Sequence, residues 1–194
     1  MEEAVVMPAN APGRAELEAQ GWVIKARSFG ARLDPEHVDQ ERLTEFIDQV
    51  EGIASVRELS EQDVDAVLAL DAATSGDYPG STATQHAPLD RGGATPSADR
   101  IAFGAFLPTG ELVATTYVDV DGAAAETDFT VVHRVWRGRG LAVAVKAASV
   151  LALTARGTLR ARTGGSSENV AIIAANVAIG YIQDEEWVTL TRSE

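Results

Sequence analysis

The chain has 194 residues, 45% of them hydrophobic, with no cysteine and a formal net charge of −13. This length is enough for one substantial hydrophobic core, and the hydrophobic content excludes a disordered chain. The composition also excludes disulfides, cysteine metal sites and membrane spans of ~20 apolar residues, and the acidity disfavours nonspecific nucleic-acid binding. Three scattered histidines predict no metal site. Glu2 and Glu3 lack the basic flank of a secretory signal, so a cytoplasmic location is expected.

Residues 1–52 form a predicted N-terminal extension. Residues up to about Pro12 show no pattern and are expected to be frayed, and a short helix is predicted from Gly13 to Gln20. The apolar run Trp22 to Phe29 predicts a strand. An acid followed by proline at Asp34-Pro35 then predicts the start of an acidic helix that stops near Gly52.

Residues 53–194 contain the elements of a second, larger predicted unit. Ser60 and Asp63 have the spacing of a capping arrangement at a helix start, and the long segment from Ala73 to Arg100 is rich in turn residues. Apolar runs predict strands at Ser55–Leu59, Ile101–Phe106, Glu111–Val120, Ala125–Val132, Thr158–Thr163 and Trp187–Arg192, and helices at Leu141–Ala155 and Glu168–Ile179. An antiparallel meander followed by a strand–helix–strand crossover predicts an α/β (α+β) fold, with a mixed, mostly antiparallel sheet and helices on both faces.

The glycine-rich turn Arg137-Gly138-Arg139-Gly140-Leu141-Ala142 lies between a predicted strand and a predicted helix. Backbone N–H groups at a helix start have no partner within the helix and attract anions, which makes this turn a candidate pyrophosphate site. From Phe129 to Ser167 there is no Asp or Glu, although the whole chain is acidic. The same stretch has seven basic residues: Arg134, Arg137, Arg139, Lys146, Arg156, Arg160 and Arg162.

Two common phosphate-binding motifs do not fit this turn. The dinucleotide motif requires three glycines at G-x-G-x-x-G spacing and an acidic residue about 20 positions later, where this chain has Arg160 and Arg162. A Walker loop requires Gly-Lys-Ser/Thr, which is absent.

Together these residues resemble the GNAT superfamily of acyl-CoA-dependent N-acyltransferases, over about residues 55–192. Arg137, Gly140 and Ala142 match the pyrophosphate motif of that family, and Thr163, Asn169, Asn176 and Gly180-Tyr181 match a pattern seen in one of its branches. The resemblance implies acetyl-CoA as co-substrate and no metal. It implies that Arg137, Gly138, Arg139, Gly140, Leu141 and Ala142 bind the pyrophosphate, while the backbone of Val131, Val132 and His133 and the amides of Asn169 and Asn176 contact the pantetheine arm.

The resemblance also implies direct attack of a neutral amine on the thioester, which requires a base. Glu126 and Asp128 share one face by strand alternation, opposite Thr127 and Phe129, and are the candidate bases; a solvent-facing role is equally compatible with their position. Many members have a tyrosine as the acid, four residues before the Gly-aromatic pair. Here that position is Asn176, which cannot serve as a proton donor in this way.

The expected function is acetyl transfer to a primary amine of a small molecule, without nucleic-acid or membrane partners. Two alternatives stay open: a CoA-binding module with weak or no catalysis, and acetylation of a protein or peptide. The final strand could pair across a homodimer. Gly21-Trp22 resembles Gly180-Tyr181, so the extension is either the remnant of a preceding GNAT half or a chance similarity.

Overall fold

The computed structural model describes residues 3–77 and 87–192. Eight strands of these segments form a sheet in the order β1-β8-β2-β7-β6-β5-β4-β3. The strands are β1 (Ala4–Pro8), β2 (Trp22–Leu33), β3 (Ser55–Glu58), β4 (Arg100–Phe106), β5 (Leu112–Asp121), β6 (Ala124–Val132), β7 (Arg160–Ser166) and β8 (Ile182–Arg192). The helices are α1 (Arg14–Ala19), α2 (Gln40–Asp48), α3 (Val64–Thr74), α4 (Arg91–Ala94), α5 (Leu141–Ala155) and α6 (Val170–Ile179). No helix in these segments is long and apolar enough to cross a membrane.

The sheet is mixed and carries helices on both faces, as the sequence predicts. Only the β6–β7 pair is parallel. Alternation along β4 divides the core: Ile101 and Phe103 pack with α5, whereas Ala102 and Phe106 pack on the opposite face with α3. Helix α5 is predicted with its observed bounds because it is apolar on most sides and Gly157 follows it.

The N-terminal segment contributes two strands to this sheet. β2 lies between β7 and β8, so residues 1–52 and 53–194 share one sheet. The expectation of a frayed N-terminus is wrong, because Ala4–Pro8 pairs with β8 from Thr191 to Trp187. β8 therefore has hydrogen-bonded neighbours on both sides, and the free edge on which a homodimer was expected is not at β8.

The acidic helix begins later than the sequence predicts. Asp34-Pro35 starts a short 3₁₀ turn over Pro35–His37, and α2 begins only at Gln40. Asp39 caps this helix, because its carboxylate accepts a hydrogen bond from the backbone N–H of Arg42 at 3.0 Å. Helix α2 ends at Asp48, before Gly52. Within the turn-rich segment from Ala73 to Arg100, the structure describes the short helix α4, and residues 78–86 lie outside the described residues.

Asp63 stabilises the start of α3. Its carboxylate accepts hydrogen bonds from Arg57 at 2.8 and 2.6 Å and from the backbone N–H of Ser60 at 2.8 Å, as the predicted capping arrangement requires. The Arg57 guanidinium is the main reason that the pKa of Asp63 falls to about 2.

Asp63→Asn is therefore expected to lower the free energy of unfolding by about 2 kcal/mol near neutral pH. Because the folded-state pKa is depressed, this contribution is fully present above about pH 4 and is lost as the pH falls towards 2. Urea unfolding of both proteins across this range measures the effect. A difference that persists at the acidic end would contradict this account of Asp63.

Candidate functional site

A cleft lies beside the end of β6, past the positions where β7 pairs with β6. These parallel strands pair over only three positions, Ala124 with Arg160, Ala125 with Ala161 and Glu126 with Arg162. Beyond the last pair the strands diverge, and a cleft of about 610 Å³ lies between β6, the start of α5, α6 and the end of α3. This volume suits a small-molecule ligand.

The glycine-rich turn forms the mouth of this cleft, because Arg137, Gly138 and Gly140 line it. Gly138 and Gly140 have positive φ angles of 72° and 83°, a backbone conformation that residues with a Cβ adopt only with strain. Gly140 is the N-cap of α5, and Leu141 and Ala142, the first residues of that helix, line the cleft. The first N–H groups of α5 have no partner within the helix, so they can donate hydrogen bonds to an anion at the cleft mouth.

Arg137 braces the turn against two other elements. Its Nε donates to the carbonyl of Val132 at 3.0 Å, and a terminal nitrogen donates to the carboxylate of Asp77 at 2.6 Å. Asp77 lines the cleft and also lies 3.9 Å from Arg134, so it offsets part of the positive charge at the mouth.

The basic residues that the sequence groups together separate in the structure. Arg139 stacks over Trp136 near the turn, 5.1 Å from the ring centroid. Arg156 pairs with Glu58 at 3.0 Å. Arg162, at the last position where β6 and β7 pair, forms ion pairs with Asp184 and Glu185. Lys146 is buried. Of the described basic residues in this group, Arg137 lines the cleft, Arg134 and Arg139 lie close to it along the chain, and Arg160 belongs to β7.

Of the three residues at the end of β6 that the sequence suggests for backbone contact, the structure turns Val132 to the cleft and the other two to β5. The N–H of His133 donates to Val113 of β5 at 2.8 Å, so it points away from the cleft. Backbone groups alternate in direction along a strand, so those of Val131 also point to β5, whereas Thr130 and Val132 face the cleft. His133 and Val131 are thus unsuited to backbone pairing with a ligand there, and Thr130 is suited.

The two asparagines of α6 have different surroundings. Asn169 lines the cleft, but its side-chain oxygen accepts from the N–H of Ile172 at 3.2 Å and caps the helix. Asn176 is 2% exposed and lies outside the cleft lining, and neither carboxamide atom finds a hydrogen-bond partner among the described residues. A buried, unsatisfied carboxamide is costly, so Asn176 is a candidate for contact with a bound molecule.

A bulge at Asp128 changes the faces of β6. Phe129 lies opposite Tyr117 and Thr127 lies opposite Val118, so Asp128 is an extra residue. Phe129 therefore stacks on Tyr117 at 5.0 Å and packs with α3, on the opposite face from Thr127. The predicted sharing of a face by Thr127 and Phe129 is wrong, because a bulge shifts the alternation by one residue.

The two candidate bases differ in their partners. Asp128 accepts a hydrogen bond from Arg100 at 2.6 Å, in a cluster that also includes Asp119. Glu126 is exposed and forms no ion pair with another described residue. It lines a second groove of about 530 Å³ at the paired end of β6 and β7, together with Asp119, Asp121, Arg160 and Arg162.

A polar cluster lies at the vertex where the strands part. The ammonium of Lys146 on α5 lies 3.4 Å from the hydroxyl of Thr127 and 3.5 Å from that of Thr163. It also lies 5.4 Å from the centroid of the Tyr181 ring. Burial lowers the pKa of Lys146 to about 7 and raises the pKa of Tyr181 to about 12, although a hydrogen bond with Thr127 partly offsets the second shift.

The sequence reasoning missed several residues of this site. Strand alternation would predict that the backbone of Thr130 faces the cleft if the direction of one neighbouring backbone group were known. The sequence does not give that direction. Asp77 and Trp136 line the cleft only because separate elements meet there. Lys146 was visible in the sequence as a charge within an alanine-rich apolar helix, which is a signal of either a buried charge or a polar helix face.

Comparisons with solved structures identify the fold. No protein-family model and no curated sequence matches the chain. A GCN5-related N-acetyltransferase from Kribbella flavida is 18% identical with a TM-score of 0.67, covering 100% of this chain and 69% of that chain. A tandem GNAT protein from the clavulanic acid biosynthesis pathway is 22% identical with a TM-score of 0.66, covering 97% and 62%. A GCN5-related N-acetyltransferase-like protein from Streptococcus suis is 15% identical with a TM-score of 0.68, covering 96% and 71%. The chain thus has the GNAT fold, as its sequence resemblance implies.

Proposed function

We propose that the protein transfers an acetyl group from acetyl-CoA to a primary amine of a small molecule. The observation that carries this proposal is the cleft between β6, α5 and α6, with the glycine-rich turn and the start of α5 at its mouth. The GNAT fold supports acyl transfer in general. The proposal goes beyond general acyl transfer by naming acetyl-CoA as the donor and a primary amine as the acceptor. The predicted cytoplasmic location and homodimer are likewise parts of the proposal.

In this proposal, the cleft residues hold the donor along its length. The N–H groups at the start of α5 bind the pyrophosphate, supported by Arg137 and Arg139. The cleft-facing backbone of Thr130 and Val132 pairs with the amides of the pantetheine arm. Asn169 lines the opposite wall, and Asn176 supplies an unsatisfied carboxamide behind that wall.

The acceptor enters from the second groove, on the other side of the vertex. Glu126 lines this groove and belongs to the last paired position before the strands separate. A carboxylate there can accept the proton that the attacking amine must lose. Asp128 is the weaker candidate because Arg100 already engages its carboxylate.

The proposal is tested by looking for a bound donor and for transfer. Native mass spectrometry of the purified protein should detect CoA or acetyl-CoA as a co-purified mass. A panel of primary amines, with detection of the released CoA thiol, should then yield at least one acetylated product identified by its mass. If no amine in the panel causes release of the CoA thiol, and no amine gains the mass of an acetyl group, small-molecule acetylation is contradicted.

The base assignment gives a separate prediction. With an amine from this panel, Glu126→Gln is expected to lower kcat by about 100-fold or more and to leave the affinity for acetyl-CoA unchanged. Asp128→Asn, the matched variant, is expected to have the smaller effect because Arg100 holds that carboxylate. Full activity in both variants would remove the two carboxylates from the mechanism.

The main alternative is a CoA-binding module without catalysis. Asn176 favours it, because the residue at this position of the family pattern cannot supply a proton. CoA binding without thiol release on the amine panel would favour this alternative. Acetylation of a protein or peptide is the second alternative, and it would be favoured by transfer to peptides and not to small amines.

A further inference from the structure

Lys146 is an exception among the basic residues of this chain. The sequence contains fourteen arginines but only two lysines, Lys25 and Lys146. Lys25 is exposed, whereas Lys146 is 1% exposed. Within residues 3–77 and 87–192, no carboxylate lies at ion-pair distance from the Lys146 ammonium. Its polar neighbours are the hydroxyls of Thr127 and Thr163.

A buried ammonium without a counter-charge destabilises the folded protein, so its presence calls for an explanation. Arginine cannot lose its proton in a protein, whereas a buried lysine can exist in both protonation states. Lys146 is therefore the kind of basic residue that can lose and regain a proton in the protein interior.

Lys146 lies deeper than the described lining of the cleft, whose innermost residue on β6 is Thr130. Thr127 and Thr163 are the first residues after the last parallel pair, Glu126 with Arg162. The Lys146 ammonium touches both threonines, so it lies where the two strands begin to separate. From Val132 at the mouth to Thr127 there are five residues, or about 17 Å of strand, which an extended pantetheine arm can cover.

We propose that Lys146 is a catalytic residue that protonates the sulfur of CoA as the thioester breaks. This inference rests on the proposed function. The amine nitrogen forms a bond to the acetyl carbon, and the carbon–sulfur bond breaks with its electron pair on sulfur. Lys146 gives one proton to that sulfur and becomes neutral, while the new amide nitrogen loses its extra proton to Glu126. Solvent then returns a proton to Lys146 and removes one from Glu126, which restores both groups.

This assignment supplies the acid that Asn176 cannot be. The groups that face the Lys146 ammonium are Thr127 from β6, Thr163 from β7 and Tyr181 after α6. Tyr181 is the titratable member of that set, and it presents its ring. Burial is therefore the cause of the lowered pKa of Lys146.

The test is affinity labelling with bromoacetyl-CoA, which carries a reactive carbon next to the thioester carbonyl. The unprotonated Lys146 nitrogen forms a bond to this carbon, bromide leaves, and the ammonium proton goes to solvent. We expect peptide mapping of the wild-type protein to find the adduct on Lys146. An excess of CoA should suppress it, and Lys25 should stay unmodified.

Two variants and the pH dependence sharpen the result. Lys146→Met should abolish the adduct, and Lys25→Met should label like the wild type. The labelling rate should rise with pH around a midpoint near 7, well below the value for an exposed lysine. Saturable labelling, suppressed by CoA, at another residue such as Glu126 or His133 would overturn the assignment of Lys146. Saturable binding of bromoacetyl-CoA to the wild-type protein with no adduct on Lys146 would also overturn the assignment. This outcome does not depend on whether Lys146→Met folds.

This experiment separates the two proposals. If bromoacetyl-CoA does not bind saturably and CoA gives no protection, the donor site itself is wrong and the proposed function fails. If binding and protection are present but Lys146 is unmodified, the donor site stands and only the assignment of Lys146 fails.

Discussion

Ala142→Glu is expected to weaken CoA binding by at least about 100-fold without unfolding the protein. Ala142 is the second residue of α5 and lines the cleft mouth. A carboxylate there would lie beside the pyrophosphate, and two like charges about 4 Å apart near a protein surface repel by about 4 kcal/mol. A hundredfold loss needs only about 3 kcal/mol. Isothermal titration calorimetry with CoA measures the effect.

The fold should tolerate this change because a helix start favours negative charge by about 0.3–1 kcal/mol. The melting temperature of Ala142→Glu should therefore equal or exceed that of the wild type. Ala142→Gln has the same size without the charge, and it should lose much less affinity. Equal losses in the two variants would mean that size and not charge is responsible, and unchanged affinity in both would place the pyrophosphate elsewhere.

Lys146→Met is expected to stabilise the protein at acidic and neutral pH. The folded-state pKa of Lys146 is about 7, below the value of about 10.5 in the unfolded chain, because burial disfavours the ammonium. Below pH 7 both states carry the proton and the folded state bears the full cost, on the order of 5 kcal/mol. Between pH 7 and 10.5 only the unfolded state keeps the proton, so wild-type stability rises relative to the variant.

Urea unfolding of wild type and variant at about pH 6 and about pH 9 tests this linkage. The stability difference should be largest at the acidic pH and smaller at the alkaline one. Lys25→Met, which removes an exposed charge, should change stability by less than about 0.5 kcal/mol at either pH. A Lys146→Met protein less stable than the wild type at acidic pH would show that the ammonium is well satisfied in the folded state.

The sequence predicts the central part of the site well because local rules govern it. Gly140 and Gly157 bound an apolar segment, and α5 has the predicted limits. The turn before it lies at the mouth of the cleft because the strand–turn–helix order leaves the first N–H groups of α5 without partners. These features depend on residues that are neighbours in the chain.

The features that the sequence does not predict depend on pairing between distant segments. The bulge at Asp128 exists only relative to the register of β5, so the alternation argument fails at Phe129. His133 points to β5 for the same reason, because Val113 accepts its N–H. The short strand β1 carries too few residues for a clear pattern and is held by its pairing with β8.

The place of β2 likewise requires the whole sheet. Its own sequence predicts a strand, but nothing in it indicates that the strand lies between β7 and β8. This placement makes the N-terminal segment part of the sheet that forms the cleft, whatever the origin of residues 1–52.

The central claim is that the cleft between β6, α5 and α6 holds acetyl-CoA by its pyrophosphate, and calorimetric titration with acetyl-CoA tests it most directly. We predict saturable binding of one equivalent to the wild-type protein, and at least a 100-fold weaker interaction with folded Ala142→Glu. Absence of binding to the wild type at millimolar acetyl-CoA, or equal binding to the folded variant, would contradict the account.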